Sequence, residues 1–539
     1  MSFAQIFRES RLALAGLALL AGRLDAANLM TGADEKWRRL QSEHFELYSR
    51  NSEGESRRLL YNLELVHAIF FGTFGFTPGR AMPVTVYFFS RDKYFEAYKP
   101  EASRKLENIA TFYHAEPDRG ILTVAPLPSY EAAQQLAFAS YTHHLFRLLG
   151  ETPPVWYGYG VAGIFRNLVI NSDTLELGRP DPSQVSRLQV ARLIPVEVML
   201  GSDQEAAAFQ SDDSYTLLHD ESWAMVHYLY FGEHKLPRAG IAEFISYILR
   251  NSRRFDAAAT RQVFESKVGI SYGKLGGDLD HYFRSGRYGY SKRPLPVIPP
   301  AKSYAVRSVP LDEINLRLAE LALRVNGSPQ GKLFLLQADH GPEAVRANEV
   351  LGAAAARNGE WDVAADRWDR ALAAGTTNPA VLYELAQQEG RKRFARFDLH
   401  YRLPDEAADR LRDLLARSIA ASPQQAMAYE LLAWVEATAR EPQVGNVNLV
   451  QKHFPRLKEQ NRTLLALAVA HLRLGDKPGA AGMLDDLDKA GPDDWVRYGL
   501  EHTRAALEGR PVDRAKLPKP AAAGPPGVRV QPGITKPKD

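Results

Sequence analysis

Two adjacent histidines, His143 and His144, are the residues of this chain best suited to chemistry. A neutral imidazole binds transition-metal ions, and it can also act as a general base near neutral pH. The surrounding residues predict a helix, in which neighbouring side chains point about 100° apart, so the two rings are not expected to share one ion. A metal site at either ring would need ligands from elsewhere in the chain. The candidates for these remote ligands are His219, His227 and Glu151.

The same helix offers a second arrangement, a nucleophile–base pair formed by Ser140 and His143. Residues three apart are neighbours on a helix surface, so the hydroxyl and the imidazole could meet. Hydrolases that use such a pair also orient the imidazole with a carboxylate and provide donors for the oxyanion. The sequence shows neither of these groups beside the pair. A cysteine nucleophile, thiolate zinc sites and disulfides are excluded because the chain has no cysteine.

Two segments around the histidines carry a family resemblance. Residues 136–147 read Leu-Ala-Phe-Ala-Ser-Tyr-Thr-His-His-Leu-Phe-Arg, and residues 153–165 read Pro-Pro-Val-Trp-Tyr-Gly-Tyr-Gly-Val-Ala-Gly-Ile-Phe. Together they resemble the core of the gluzincin zinc metallopeptidases, specifically the peptidase-MA-like proteins of bacteria. In that family the first helix carries H-E-[aromatic]-T-H-H and the second P-x-W-x-x-E-G-x-A-E-[aromatic]-F. The resemblance includes residues 37–48 and the helix 221–228, and family members often carry tetratricopeptide repeats afterwards.

The catalytic positions of that pattern are mostly changed in this chain. The first zinc histidine corresponds to Ala139, and the general-base glutamate corresponds to Ser140. The second zinc histidine is retained as His143. The glutamate ligand of the second helix corresponds to Tyr159, and the following glutamate corresponds to Gly163. These five positions are therefore interpreted as the remains of a zinc site.

The loss of these groups has a large energetic effect on zinc binding. Catalytic zinc needs three protein ligands and one open position, and only one of the three remains. Four-ligand structural sites hold zinc by roughly 10–16 kcal/mol, so each ligand contributes on the order of 3–4 kcal/mol. The missing base removes a further factor of roughly 10²–10⁴ in rate. The sequence therefore predicts a pseudoenzyme without metal or cofactor, in which Tyr159 fills the space of the ion.

The composition is that of an ordinary soluble protein. The chain has 539 residues, 45% of them hydrophobic and 24% charged. The net charge, 67 − 64 = +3, is too small to favour an electrostatic nucleic-acid binder. The short basic stretch 391–396 is interpreted as a solvated helix face.

The first 27 residues are typical of a secretory signal peptide. Arg8 and Arg11 precede an apolar run, 12–21, which is too short to span a bilayer. Small residues, Ala26 and Ala27, follow the run, as at a signal-peptide cleavage site. We therefore expect an exported protein of the bacterial periplasm or cell envelope, with no transmembrane span in the mature chain.

The remaining chain divides into four regions by pattern. Residues 36–289 place strands first and helices afterwards, which predicts an α+β domain, and the family resemblance implies that it is of the gluzincin type. Four prolines within 294–300 predict that residues 290–310 form an extended, semi-rigid linker. Residues 311–508 are rich in Ala and Leu and resemble tetratricopeptide repeats, so an all-α solenoid is expected. Residues 511–539 are rich in Pro and Lys and predict a disordered tail.

The repeats and the degenerate cleft suggest what such a protein would do. Stacked helical repeats form extended surfaces suited to protein or peptide partners. The stretch 219–223 lacks the register of a metal motif and is interpreted as part of a packing helix. The sequence therefore predicts an exported, non-catalytic metallopeptidase-like protein that binds protein or peptide partners and no nucleic acid. The alternative is an active hydrolase with a non-standard zinc site near His143 and His144.

Overall fold

The computed structural model describes residues 30–76, 82–101, 110–116, 118–149, 152–201, 212–251, 256–394, 397–423, 425–457 and 459–512. The predicted signal peptide, residues 1–27, and the tail from residue 513 lie outside these ranges. The strands are β1 (Arg38–Gln41), β2 (Phe45–Ser49), β3 (Val84–Phe88), β4 (Thr111–Ala115), β5 (Gly120–Val124), β6 (Val169–Ile170), β7 (Thr174–Leu177), β8 (Ser291–Pro294) and β9 (Val306–Ser308).

The helices up to residue 285 are α1 (Glu53–Phe74), α2 (Asp92–Glu96), α3 (Tyr130–Leu149), α4 (Val155–Arg166), α5 (Pro182–Val190), α6 (Val196–Gly201), α7 (Asp212–Phe231), α8 (Arg238–Asn251), α9 (Ala257–Val268) and α10 (Tyr272–Ser285). The later helices are α11 (Leu311–Asn326), α12 (Pro329–Gln337), α13 (Ala344–Arg357), α14 (Trp361–Ala373), α15 (Pro379–Arg393), α16 (Asp405–Ala421), α17 (Ala426–Thr438), α18 (Val444–His453), α19 (Gln460–Arg473), α20 (Lys477–Lys489) and α21 (Asp494–Glu508). The predicted mixture of α and β structure is confirmed.

A six-stranded sheet organises the first part of the chain, with strand order β4-β5-β3-β2-β1-β9. The central strands β2, β3 and β5 are parallel, while β4, β1 and β9 pair antiparallel with their neighbours. Helix α1 makes the crossover between β2 and β3, as a parallel pair requires. A capping box at Ser52 and Glu55 fixes where α1 begins.

Both faces of this sheet are covered. Successive side chains of a strand point to opposite faces, so Val86 and Phe88 of β3 lie in one core and Tyr87 in another. Helices α1 and α3 cover the first face. Helix α11 covers the second face, where Leu318 packs into the same cluster as Tyr87. The helical region therefore begins against the sheet and is not separated from it.

The segment 290–310 is part of the two sheets, which corrects the prediction of a linker. Strand β8 pairs with β7 in a second, three-stranded sheet, and β9 forms the sixth strand of the first sheet. The backbone of this segment is extended except at a short 3-10 helix, Ala301–Ser303. Edge strands tolerate proline because their outer N–H groups need no partner, so a proline-rich sequence could still enter a sheet.

The helices that follow stack as hairpins. In the hairpin α13–α14, a Cβ on Gly352 would lie 2.4 Å from Trp368 Cδ1, so only glycine allows this close helix crossing. Gly359 turns the chain between these helices with φ +77°, and Gly475 does the same between α19 and α20 with φ +81°. Within the described residues after 309 there is no strand. None of the helices in the described ranges has the length and apolar character needed to cross a bilayer.

A buried ionic cluster joins the sheet to the helices behind it. The guanidinium of Arg324 on α11 lies 2.7 Å from Asp118 Oδ1 and 3.1 Å from Glu116 Oε2, at the turn between β4 and β5. Its Nε donates to Glu320 Oε1 at 3.0 Å. Burial alone would raise the pKa of Glu320, but the guanidinium groups around it hold that pKa well below its usual range. Glu320 is therefore ionised at neutral pH and faces the positive charge of Arg324.

Candidate functional site

Helix α3 carries four of the positions that the sequence singled out. Ser129 Oγ accepts the N–H of Ala132 at 3.1 Å, so the first turn is capped. Apolar residues at helical spacing, among them Phe138 and Tyr141, bury one side of α3 against the sheet. Ala139 and His143 lie one turn apart on the other side, where Ala139 is half-buried and His143 is exposed.

The ring of His143 lies in a recess of the surface. Its side chain reaches solvent, yet the surrounding protein desolvates it and lowers its pKa below the usual value. His219 of α7 is close enough that the charge on His143 contributes to lowering its pKa. Burial is the main cause of that shift, and Arg166 adds to it, which together bring the pKa of His219 to about 4. Both imidazoles are therefore neutral at neutral pH.

Tyr159 of α4 completes this group of rings. It stacks on His219 with ring centroids 3.8 Å apart and an interplanar angle of 22°. The structure thus brings together three residues that the sequence singled out separately, namely His143, Tyr159 and His219. Position 159 is the one that the family resemblance equates with a glutamate ligand, and a phenol ring occupies it here.

His144 is not placed to bind a metal, contrary to the alternative site. Its ring is buried, with Nε2 3.1 Å from the carbonyl oxygen of Met82 and Nδ1 2.9 Å from the hydroxyl of Tyr113. A carbonyl only accepts, so Nε2 carries the proton and Nδ1 accepts from Tyr113. Arg147 donates to the same hydroxyl at 2.9 Å, which is consistent with this direction. Both ring nitrogens are therefore engaged.

His227 is also excluded as a remote ligand. It is fully buried in α7, and its nitrogens lie 2.6 Å from the carbonyl oxygen of Gly178 and 2.6 Å from the hydroxyl of Tyr282. Burial lowers its pKa to about 4. Glu151, the third candidate ligand, lies outside the described residues.

Ser140 does not form the nucleophile–base pair that its spacing allowed. Its Oγ lies 2.9 Å from Thr111 Oγ1 on β4, so the hydroxyl is directed at the sheet. No hydrogen bond joins Ser140 to His143 in the described part of the chain. A serine held in this way contacts the strand and has no base to activate it.

The packing of α4 against α7 explains the glycines of α4. A Cβ on Gly163 would lie 3.0 Å from Cβ of Trp223, so a glutamate at this position would displace the fully buried tryptophan. At Gly160 a Cβ would lie 2.3 Å from Val226 Cγ2 and 2.4 Å from the carbonyl oxygen of Ser222. The stretch 219–223 therefore belongs to a packing helix, as the sequence indicated.

We expect Gly160→Ala to lower the free energy of unfolding by about 1–3 kcal/mol, because the added methyl overpacks the contact between the two helices. The matched control is Gly277→Ala in α10, where no atom lies within 4 Å of the position that the methyl would take. That change is expected to raise stability by roughly 0.5–1 kcal/mol. Urea unfolding followed by circular dichroism measures both, and equal effects would contradict the packing argument.

A string of side-chain contacts between α1 and the buried side of α3 was not anticipated from the sequence. His44 Nδ1 lies 2.7 Å from Glu64 Oε2, and the ring of His44 stacks on His67 at 3.8 Å. His67 Nδ1 in turn lies 2.9 Å from the hydroxyl of Tyr141. Burial, with His44 adding to it, lowers the pKa of His67 to about 3, so this imidazole stays neutral. The string fixes the buried side of α3 against α1.

The burial of Glu221, which lies in the stretch 219–223, was also not anticipated from the sequence. Its side chain is 1% exposed, and Oε1 accepts the N–H of Ile194 at 2.9 Å. Burial raises the pKa of Glu221 to about 8, and the neighbouring charge of Asp220 adds to this effect. The folded protein therefore holds a proton on Glu221 at neutral pH.

We expect Glu221→Gln to remove part of the pH dependence of stability. The folded pKa is about 8 and the ordinary value is 4.5, so the stabilisation from the bound proton is complete below pH 4.5 and is lost as the pH rises to 8. At pH 8 the variant should therefore be more stable by a few kcal/mol, on the order of 2–4. Urea unfolding at pH 5 and pH 8 tests this, and parallel curves for both proteins would contradict it.

The residues present do not fit a catalytic zinc ion. Within the described ranges, no group of three or more histidine, aspartate or glutamate side chains is arranged to hold a metal ion. The recess offers two imidazoles and a phenol, and a phenol is a poor zinc ligand beside carboxylates and imidazoles. No family model matches the chain, and no curated protein matches it at a significant level.

Proposed function

We propose that this protein is an exported, non-catalytic relative of the gluzincin peptidases that binds polypeptide partners. One observation carries the proposal: the positions that would supply the base and the second-helix ligand are held in other contacts. Ser140 is hydrogen-bonded to Thr111, and Tyr159 is stacked on His219. These contacts support a site that keeps the helices of the family. At the positions of the catalytic base and of the second-helix ligand, it has side chains that pack against their neighbours.

The edge of the first sheet supports polypeptide binding next to this cleft. Strand β4 pairs with β5 on one side, and no described strand pairs with its other side. The Thr111–Ser140 contact places β4 beside the turn of α3 that carries His143. An extended peptide can add to such an edge through main-chain hydrogen bonds, while side-chain contacts give selectivity.

The helical region supports the same kind of function. The hairpins α13–α14 and α19–α20 share the position of their turn glycines, Gly359 and Gly475. This spacing and the Gly352–Trp368 contact favour the tetratricopeptide interpretation. Proteins built from such units use them to bind protein and peptide partners. The N-terminal pattern of residues 1–27 supports export, so we propose the bacterial periplasm or envelope as the location of this activity.

The runner-up function is hydrolysis with a non-standard metal site. One observation favours it, namely the electrostatic effect of His143 on His219, which places two imidazoles near each other. Two imidazoles are one ligand short of a catalytic zinc centre. Both ring nitrogens of His144 are engaged in hydrogen bonds, so we expect such a site to depend on His143 and His219.

The experiment that separates the two functions measures turnover and binding on the full chain. Fluorogenic peptides are incubated with the protein in the presence of zinc, with and without a chelator, and no chelator-sensitive turnover is expected. In parallel, a photo-crosslinking residue is placed at exposed Ala115 on β4 and, as a control, at exposed Lys489 on α20. Polypeptide adducts at 115 and not at 489 support the proposal, whereas turnover abolished by His143→Ala would contradict it.

A further inference from the structure

A groove runs between the three helices α14, α15 and α16, away from the cleft near His143. Its volume is about 660 Å³, within the range of about 300–1,000 Å³ typical of ligand sites. The lining side chains come from all three helices and are Ala365, Asp369, Leu372, Ala373, Leu385, Gln388, Glu389 and Arg410. The groove therefore combines an apolar floor with a few polar groups, as binding sites usually do.

One polar group in this groove has no partner among the described residues. Gln388 is 7% exposed, and within the described part of the chain its Nε2 has no hydrogen-bond acceptor. Buried amide groups are nearly always hydrogen-bonded, so an unpaired one needs an explanation. Because Gln388 lines the groove, an acceptor delivered by a ligand would satisfy it. A peptide carbonyl is such an acceptor, and it occurs at every residue of an extended chain.

The floor of the groove suits an apolar side chain. Leu385 of α15 is 4% exposed, and Leu372 of α14 is half-buried beside it. The small side chain of Ala365 leaves room above them. A leucine-sized or methionine-sized group would bury its surface here without displacing a helix.

The charges at the rim form an ion network in which two carboxylates face two guanidinium groups. Two carboxylates, Asp369 and Glu389, share one guanidinium, that of Arg410, whose Nε lies 3.3 Å from Glu389 Oε2 and whose Nη2 contacts Asp369. Asp369 is about half exposed, with 49% of its side chain in contact with solvent. Glu389 has a second partner in Arg393 at 3.1 Å. The negative charge that is least compensated therefore belongs to Asp369, at the open edge.

We infer that this groove binds a segment of partner polypeptide in which a lysine or arginine neighbours an apolar side chain. The apolar side chain lies on Leu372 and Leu385, a main-chain carbonyl accepts from Gln388 Nε2, and the basic side chain pairs with Asp369. This inference rests on the proposed function and names a site for it in the helical region, separate from the β4 edge.

The test uses a phage-displayed library of random nine-residue peptides, selected on the immobilised full chain. The strongest enriched peptide is then synthesised with a fluorescein label, and its affinity is measured by anisotropy. We expect the enriched peptides to carry a basic residue next to an apolar one. Gln388→Leu, which keeps the size of the side chain, should weaken binding by about tenfold, or ~1.4 kcal/mol.

The rim variants give effects of opposite sign. Asp369→Asn should weaken binding about threefold, and Arg410→Gln should strengthen it by a similar factor, as expected for single exposed charges. Asp413→Asn on α16, an exposed acid paired with Arg417 outside the groove, is the matched control and should change nothing. Each variant is first checked for unchanged thermal unfolding, and the exposed rim positions keep the test valid if Gln388→Leu misfolds.

Three results would overturn the inference. They are no enriched peptide, enriched peptides that are acidic, and affinities unchanged by Gln388→Leu and by both rim variants. Peptides whose binding depends on β4 and not on the groove would overturn this inference and leave the proposed function intact. Failure of the proposed function would appear separately, as chelator-sensitive turnover.

Discussion

Replacing Arg324 with methionine is expected to lower the free energy of unfolding by about 3–5 kcal/mol, because it removes a guanidinium that three buried carboxylates share. Arg324 is fully buried, and the three carboxylates that it contacts are at most 2% exposed. Asp118 alone would lose two hydrogen bonds, of 2.7 and 2.8 Å. The effect should also weaken the attachment of α11 to the sheet, since the cluster spans that contact.

Urea unfolding at pH 7 measures the change, with Arg284→Met as the matched control. Arg284 forms an exposed pair with Asp280 at 2.9 Å on a single helix, and such pairs contribute about 0.3–0.5 kcal/mol. An equal loss of stability in the two variants would contradict a stabilising role for the buried ion pairs of Arg324. The wild type should unfold the sheet and α11 in one transition, because they share this core.

The triple variant Ala139→His, Ser140→Glu, Tyr159→Glu is expected to bind one zinc ion. Positions 139 and 143 lie one helical turn apart on the outer side of α3, and position 139 is only half-buried, so an imidazole has room there. Tyr159 lies on α4, which packs against α3 in the same recess. Two added ligands at about 3–4 kcal/mol each correspond to an affinity gain of at least ~10⁴-fold over the wild type.

Isothermal titration with zinc measures this gain, and the matched control is Ala139→His combined with Tyr159→Phe. The control supplies one new ligand and no carboxylate, so its affinity should fall well short of the triple variant. A triple variant that folds and takes up no zinc would show that the two helices are not aligned as the family pattern implies. Any change in folding is monitored by circular dichroism before the titration.

Much of the fold could be predicted from local patterns. Helix α1 (Glu53–Phe74) is evident from the local sequence, because a capping box begins it and apolar residues recur at helical spacing. The strands that are least evident locally are short or lie at sheet edges, such as β9 with three residues and β4 with His114 inside it. Their pairing depends on distant strands, which no local pattern encodes.

The candidate site was predicted only in part, for the same physical reason. The family resemblance implied that the positions of His143, Tyr159 and Gly163 belong together. The contacts that define them now, Ser140 with Thr111 and Tyr159 with His219, join residues on different elements. Likewise the proline-rich segment 290–310 reads as a linker in isolation, and only its pairing with β1 and β7 makes it part of the sheets.

We predict that the recess at His143 holds no catalytic metal. The most direct test is elemental analysis of the purified full chain after incubation with excess zinc and removal of unbound ions by gel filtration. We predict less than about 0.1 equivalent of zinc per chain, since one or two imidazoles do not make a catalytic site. About one equivalent of bound zinc that disappears in His143→Ala would contradict the account, because it would require the very ligand set that the geometry lacks.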